Sequence, residues 1–270
     1  MTISAETIWK EIEAIRKGAP LVHNITNYVV MNNTANALLA LGASPVMAHA
    51  ANEVEDMAGI SSSVVINIGT LSDTWIEAMF LAARVAIDRA IPLVLDPVGV
   101  GATTYRTETA RKLLDETPPT LIRGNASEIM ALAGEHAATK GVDSAHGSHQ
   151  AEEAAKALME DYGCAVCISG ETDIIVSPEG DAKISNGHPM MPKVTGLGCT
   201  ATALCGAFAA VNPDPLMATA HAMATMGIAG EMAAEQAKGP GTLQMHFIDA
   251  LYNLDQEAVT TRLKTTGGNA

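Results

Sequence analysis

The feature that most constrains this chain is a rhythm of short segments lacking a polar face, spaced by stretches of helical character. Val64-Val65-Ile66-Asn67-Ile68, Ile91-Pro92-Leu93-Val94-Leu95, Thr120-Leu121-Ile122-Arg123 and the run at 164–169 are apolar almost throughout. A strand with one face in water alternates apolar and polar residues, whereas a strand covered on both sides does not. Helical stretches at 29–41, 73–90 and 149–162 separate these strands. The alternation predicts an α/β fold: a mostly parallel central sheet with helices on both faces. Further strands are expected at 21–23 and 44–48, and a hairpin at 172–177 and 181–186 turns around Pro178-Glu179-Gly180. Helices are expected at 5–17, 53–57, 107–115, 125–133, 199–211, 214–237 and 242–254, followed by a frayed tail. Ser72 or Asp73 is placed to cap the helix at 73–90. Neither a linker nor an internal repeat interrupts the pattern, so residues 1–270 read as a single domain. Residues 135–148 are polar and read as a surface loop, with a lid over a ligand as the second reading.

Composition narrows the function classes. A net charge of −14 argues against nucleic acid and anionic membrane as partners, because both select basic patches. It does not exclude a phosphate ligand held by local amides and a cation. The apolar runs fall short of the ~18 to 20 residues of a membrane span. The start, MTISAETIWKEIEAIRKG, reads as an amphipathic helix and not as a signal peptide, so the expected location is the cytoplasm. Cys164 and Cys167 have the spacing of a metal-binding pair but lie in one strand, where residues three apart face opposite sides.

The glycine turn Thr195-Gly196-Leu197-Gly198-Cys199 leads into a buried helix. Such a helix start leaves backbone N–H groups unpaired at the positive end of the helix dipole, a ready anion site. The alternative is a glycine-started packing helix. In open α/β sheets ligands gather at the carboxyl ends of strands, where Asn67, Asp96, Arg123, Ser169 and Thr195 fall. Asp96 either starts a loop or holds a cation. Asn125-Ala126-Ser127-Glu128 fits a capping box, and Glu128 alternatively orients water on magnesium. Arg123 either forks onto phosphate oxygens or makes a surface salt bridge. A cysteine hydrolase would need one of His23, His49, His188 or His221 beside Cys199. GxxxxGK[ST] is absent, and Gly99-Val100-Gly101 lacks the third glycine of a dinucleotide fingerprint. Met31, Met47, Met57 and Met79 are most simply core residues, although Met47 ends a strand and is placed to line a pocket.

LVHNITNYVVMNNTANALLALGASPVMA, NIGTLS, LDPVGVGAT-x-YRT, IRGNASEI and the TGLGC turn together resemble the hydroxyethylthiazole kinase family, in order from about residue 20 to residue 250. The resemblance implies a ribokinase-like three-layer sandwich. It also implies transfer of the γ-phosphoryl group of ATP, with Mg2+, to the hydroxyl of hydroxyethylthiazole in thiamin salvage. Carried over to this sequence, Asn27, Val29, Met47 and Gly196 would contact the thiazole, and Arg123 and Ser169 would contact ATP. Asp96 and Glu128 would serve magnesium and the phosphates. The amides of Gly196, Leu197, Gly198 and Cys199 would form the anion hole, with Cys199 in the place of the catalytic base. The resemblance further implies a homotrimer with sites between subunits. CTATALCGA after the turn departs from the family's more usual run, which bears on pocket shape. A thiol of ordinary pKa, ~8.5, is expected to have its thiolate favoured beside the helix N-terminus. The competing readings are a kinase of another small alcohol such as a hydroxymethylpyrimidine, a cysteine-dependent hydrolase, and a non-catalytic nucleotide-binding module.

Overall fold

A computed structural model of the chain describes residues 2–134 and 147–267. The described strands form one nine-stranded sheet in the order β2-β1-β3-β4-β5-β6-β7-β8-β9. β1 (Leu21–Ile25), β2 (Ser44–Val46), β3 (Ser63–Asn67), β4 (Leu93–Asp96), β5 (Leu121–Asn125) and β6 (Ala165–Ser169) run parallel. β7 (Asp173–Ser177), β8 (Gly180–Ile184) and β9 (Thr265–Gly267) extend the edge antiparallel, with β7 and β8 joined as the expected hairpin.

The reason the strands lack a polar face is visible in the packing. Val22, Val65, Val94, Leu121 and Cys167 enter one core, and Ile25, Ile66, Leu95, Ile122 and Val166 enter another. The first core lies under α1 (Ala5–Gly18), α2 (Met31–Leu41), α8 (Leu197–Ala209), α9 (Pro215–Gln236), α10 (Pro240–Asn253) and α11 (Gln256–Arg262). The second lies under α3 (Val54–Ile60), α4 (Asp73–Asp88), α5 (Thr104–Glu116), α6 (Ala126–Ala133) and α7 (Gly147–Tyr162). Burial on both faces gives apolar strands; the result is a three-layer sandwich. Cys164 and Cys167 indeed fall in opposite cores.

Several boundaries differ from the sequence reading. Of the two caps offered for α4, Ser72 is the one used, its side chain accepting from the Trp75 N–H at 3.4 Å. α5 begins at Thr104, ahead of residue 107, because the Thr103 hydroxyl accepts from the Arg106 N–H and starts the helix in a polar stretch. β2 ends at Val46, so Met47 lies just beyond the strand. The tail is not frayed up to residue 267: α11 is capped by Asp255, and β9 pairs with β8 through Ala182↔Gly267 and Ile184↔Thr265. The loop expected at 135–148 lies, up to residue 146, outside the described residues. Among the described residues no helix is long and apolar enough to cross a membrane.

Candidate active site

Parallel strands end together, and at this edge four of them deliver polar side chains. Asn67 closes β3 and is the register partner of Asp96, which closes β4. Asn125 and Ser169 are partners at the ends of β5 and β6. Above them α8 begins two residues earlier than residue 199, at Leu197, with Gly196 as its N-cap in the left-handed region (φ 86°). A Cβ at Gly196 would lie 2.6 Å from Cγ1 of Val30, so glycine is required both by the turn and by the loop packed on it. Cys199 therefore sits inside the first helical turn. Thr200 donates the first helical bond to the Gly196 carbonyl at 2.9 Å, and the N–H groups of Leu197, Gly198 and Cys199 precede that bond.

The turn is tied directly to the charged residues beneath it. Arg123 Nη1 donates to the Gly198 carbonyl at 2.9 Å, and Thr202 Oγ1 donates to Asp96 Oδ2 at 2.8 Å. Asn67 Nδ2 donates to the same Asp96 oxygen at 2.7 Å. Asn67 Oδ1 accepts from Asn27 Nδ2 at 3.0 Å, and Asn27 Nδ2 also donates to Cys199 Sγ at 3.4 Å. One continuous chain of bonds thus joins Thr202, Asp96, Asn67, Asn27 and Cys199. Arg123 is only 9% exposed, which rules out the surface salt bridge. Burial works against its charge, but Asp96, with Cys167, Cys205 and Asp173, more than offsets that.

Burial pushes the Asp96 carboxyl up to about 6, against the opposing pull of Arg123 and the Thr202 hydrogen bond. The Cys199 thiol departs from the expectation of a favoured thiolate. Burial and the nearby Asp96 charge raise it to about 11, and the adjacent amides of Asn67 and Asn27, the latter hydrogen-bonded to the sulfur, only partly counter this. Desolvation and a like charge outweigh the helix terminus, so the group is a thiol at neutral pH. The cysteine-hydrolase reading also fails on geometry. His23 bonds the Ala48 carbonyl, His49 stacks on Trp75, His188 accepts from the Met190 N–H, and His221 faces Glu11 and Thr7. Cys199 pairs with Asn27 instead.

Glu128 fulfils the capping box: Asn125 Oδ1 accepts from the Glu128 N–H at 3.0 Å, and Glu128 Oε2 accepts from the Asn125 N–H at 2.9 Å. Its Oε1 accepts from the Gly99 N–H at 2.9 Å, pinning the loop after β4 to the start of α6. Glu128 lies close enough to add to the upward push on Asp96. Ser169 Oγ donates to the Gly124 carbonyl at 3.2 Å, one strand beyond Arg123. Val29 and Met47 stand outside this network; Val29 is 66% exposed and Met47 half-buried. Three contributors were not singled out from sequence. Thr202 is one of two threonines on a mostly apolar helix, one turn after Gly198, and that position was its signal. Arg106 clamps the loops after β3 and β4 through the carbonyls of Ile68, Val98 and Gly69. Asp173 faces Arg123 from the start of β7 and is likewise pushed up to about 6 by burial.

A carboxylate, a guanidinium and unpaired helix-start amides, converging beside an amide–thiol pair, suit a reaction that moves an anionic group onto a small neutral acceptor. Comparison with known proteins agrees with that chemistry. A family model described as the Hydroxyethylthiazole kinase family matches residues 12–257. The chain is 60% identical over 269 residues to a hydroxyethylthiazole kinase of Syntrophus aciditrophicus (strain SB), covering 99% of this chain and 100% of that one. Among solved structures, the hydroxyethylthiazole kinase protein from Pyrococcus horikoshii OT3 is 41% identical, covers 97% of this chain and 98% of its own, and superposes with a TM-score of 0.89. A ribokinase-like superfamily protein from Enterococcus faecalis V583, 11% identical, covers 92% of this chain and 94% of its own with a TM-score of 0.65, a likeness of fold alone. The fold is ribokinase-like, and the chain belongs to the hydroxyethylthiazole kinase family.

Proposed function

We propose that this protein transfers the γ-phosphoryl group of ATP to the primary hydroxyl of hydroxyethylthiazole, the step that returns the thiazole to thiamin synthesis. The observation that carries the reading is the attachment of the α8 N-terminus to both Asp96 and Arg123, through Thr202 and Gly198. Phosphoryl transfer asks mainly for positioning and charge neutralisation, because its loose transition state spreads charge over the phosphoryl oxygens. The amides of Gly196, Leu197, Gly198 and Cys199 form the anion hole, and Arg123 with Ser169 holds ATP. Asn27, Val29, Met47 and Gly196 hold the thiazole.

Asp96 fits a magnesium site by its donor set. Oδ2 is filled by Asn67 and Thr202, while Oδ1 takes no hydrogen bond from the described residues and is a hard oxygen of the kind magnesium selects. Bound there, magnesium would neutralise phosphate charge. Glu128, with both oxygens engaged on backbone N–H groups, would serve the ion by orienting water. Cys199 stands at the place of a general base. As a thiol raised to about 11 it is almost wholly protonated at neutral pH, so little of it is available as a base, and its contact with Asn27 makes it part of the acceptor pocket.

The family resemblance implies a homotrimer in which a neighbouring subunit completes each site, and the exposed Val29 and Tyr28 offer that neighbour an apolar contact. The proposed location is the cytoplasm, where ATP is supplied; all four cysteines are free. A coupled ADP-release assay with hydroxyethylthiazole and, in parallel, a hydroxymethylpyrimidine tests the reading. The expected result is saturable ADP release with the thiazole and phosphorylated thiazole by mass. Release with the pyrimidine alone, or with neither alcohol, overturns it.

A further inference from the structure

The residue that links the two halves of this site is Asn67, the last residue of β3. Its side chain makes three hydrogen bonds, and one of them fixes the rest. The Gly69 backbone N–H, which only donates, lies 2.9 Å from Oδ1, so that end of the amide must be the oxygen. The Nδ2 end then faces Asp96 Oδ2 at 2.7 Å. Asn27 must in turn present its own Nδ2 to Asn67 Oδ1, at 3.0 Å, with the same nitrogen reaching Cys199.

Two acceptors are left over. Asp96 Oδ1 and Asn27 Oδ1 take no hydrogen bond from the described residues. Each has lone pairs to offer a ligand: a carboxylate oxygen in one case, a neutral amide oxygen in the other. Both ends of the Asn67 amide are engaged within the protein, and its orientation decides which atom each neighbour offers. The packing around it is close. A Cβ on Gly69 would lie 2.7 Å from Asn27 Nδ2 and 2.9 Å from Asn67 Oδ1, so the backbone there holds both amides in place.

We propose that Asn67 is a positioning residue that couples the acceptor-alcohol pocket to the phosphoryl-transfer centre, aiming Asn27 at the alcohol and Asp96 at the phosphates. This rests on the kinase reading, and wild-type binding of hydroxyethylthiazole with thiazole-dependent ADP release tests that reading first. An asparagine suits the task because one neutral group both accepts from an amide and donates to a carboxylate, which neither aspartate nor leucine does.

The test measures thiazole affinity by calorimetry without ATP or magnesium, together with kcat and KM, in Asn67→Ala, Asn27→Ala and the double variant. Asn67→Ala is expected to weaken thiazole binding and to lower kcat, each on the order of 10-fold or more, the scale of losing a hydrogen bond in a buried network. Asn27→Ala is expected to weaken binding with a smaller change in kcat. In the double variant the binding losses do not add, because both act through one amide. Asn67→Asp, which keeps the acceptor for Asn27 and sets a second carboxyl against Asp96 so that one proton is shared between the two, is expected to hold thiazole affinity within roughly 3-fold while kcat falls. That variant also decides the matter should Asn67→Ala fail to fold. Fully additive binding losses, or an Asn67→Asp enzyme that loses thiazole affinity in step with kcat, overturn the proposal while leaving the wild-type activity standing.

Discussion

Arg123 interacts with two buried carboxylates, and the contrast between them shows what sets the proposed site apart from a packed position. Asp96 closes a parallel strand, while Asp173 opens an antiparallel one. Both are pushed up to about 6 by burial, and Arg123 pulls both the other way. Their donors differ. Asp96 is held by side chains from β3 and α8, elements far apart in sequence. Asp173 is held by the Gly170 N–H three residues before it, a local turn. The lesson is that burial and charge alone do not mark the site. What marks it is convergence of independent elements on one oxygen.

The largest expected effect falls on the Asp96 side. Asp96→Ala is expected to lower kcat/KM roughly 1000-fold, because the charge-stabilising centre loses its anchor. Steady-state kinetics beside a melting curve separate this from loss of fold. Arg123→Met keeps the volume and removes the charge shared by both carboxylates. It is expected to cost on the order of 100-fold in kcat/KM, and also stability, since Asp96 and Asp173 then lie buried without their cation. A variant as active as wild type would show that neither carboxylate uses Arg123 in the reaction.

Cys199→Ser is expected to retain activity within about 10-fold, as suits a loose transition state that demands little of a base. Alkylation of Cys199 should be slow at pH 7 to 8, because burial and Asp96 hold the thiol at about 11. A loss matching that of Asp96→Ala would restore Cys199 as an essential base. The smallest effect on activity is expected at Asp173→Asn, within about 3-fold. Its effect on stability has a definite sign. A carboxyl raised to about 6 in the folded state binds its proton more tightly than in the unfolded chain, whose value is ~3.9. Ionising it therefore costs stability, and the cost grows from pH 4 and is complete above pH 6. Asp173→Asn should melt several degrees higher than wild type at pH 8, with the gain vanishing near pH 4. A lower melting temperature at pH 8 would make Asp173 a true ion-pair partner of Arg123 and erase the contrast.

Much of the architecture was legible in the sequence. Strands apolar on both sides have only one stable placement, inside a sheet covered by helices, and β3, β4, β5 and β6 occupy it. The glycine turn was equally legible, since Gly196 stands at a left-handed position against Val30 that excludes a side chain. Less legible were α5 and the tail. Thr103 starts a helix in a polar stretch, and β9 owes its existence to an edge that β8 leaves open.

The sequence by itself determined the fold class, the edge of the sheet at which polar residues collect, and the family, because strand patterning and motif order are properties of the chain read locally. Tertiary structure alone decided the partnerships. Asn67 and Asp96 are adjacent only through strand register, Thr202 reaches Asp96 across more than a hundred residues, and Arg123 is buried under Gly198 instead of lying at the surface. It also decided the state of Cys199. A helix start predicts a thiolate when read along the chain, but desolvation and the Asp96 charge are set by what packs around the sulfur, and they prevail.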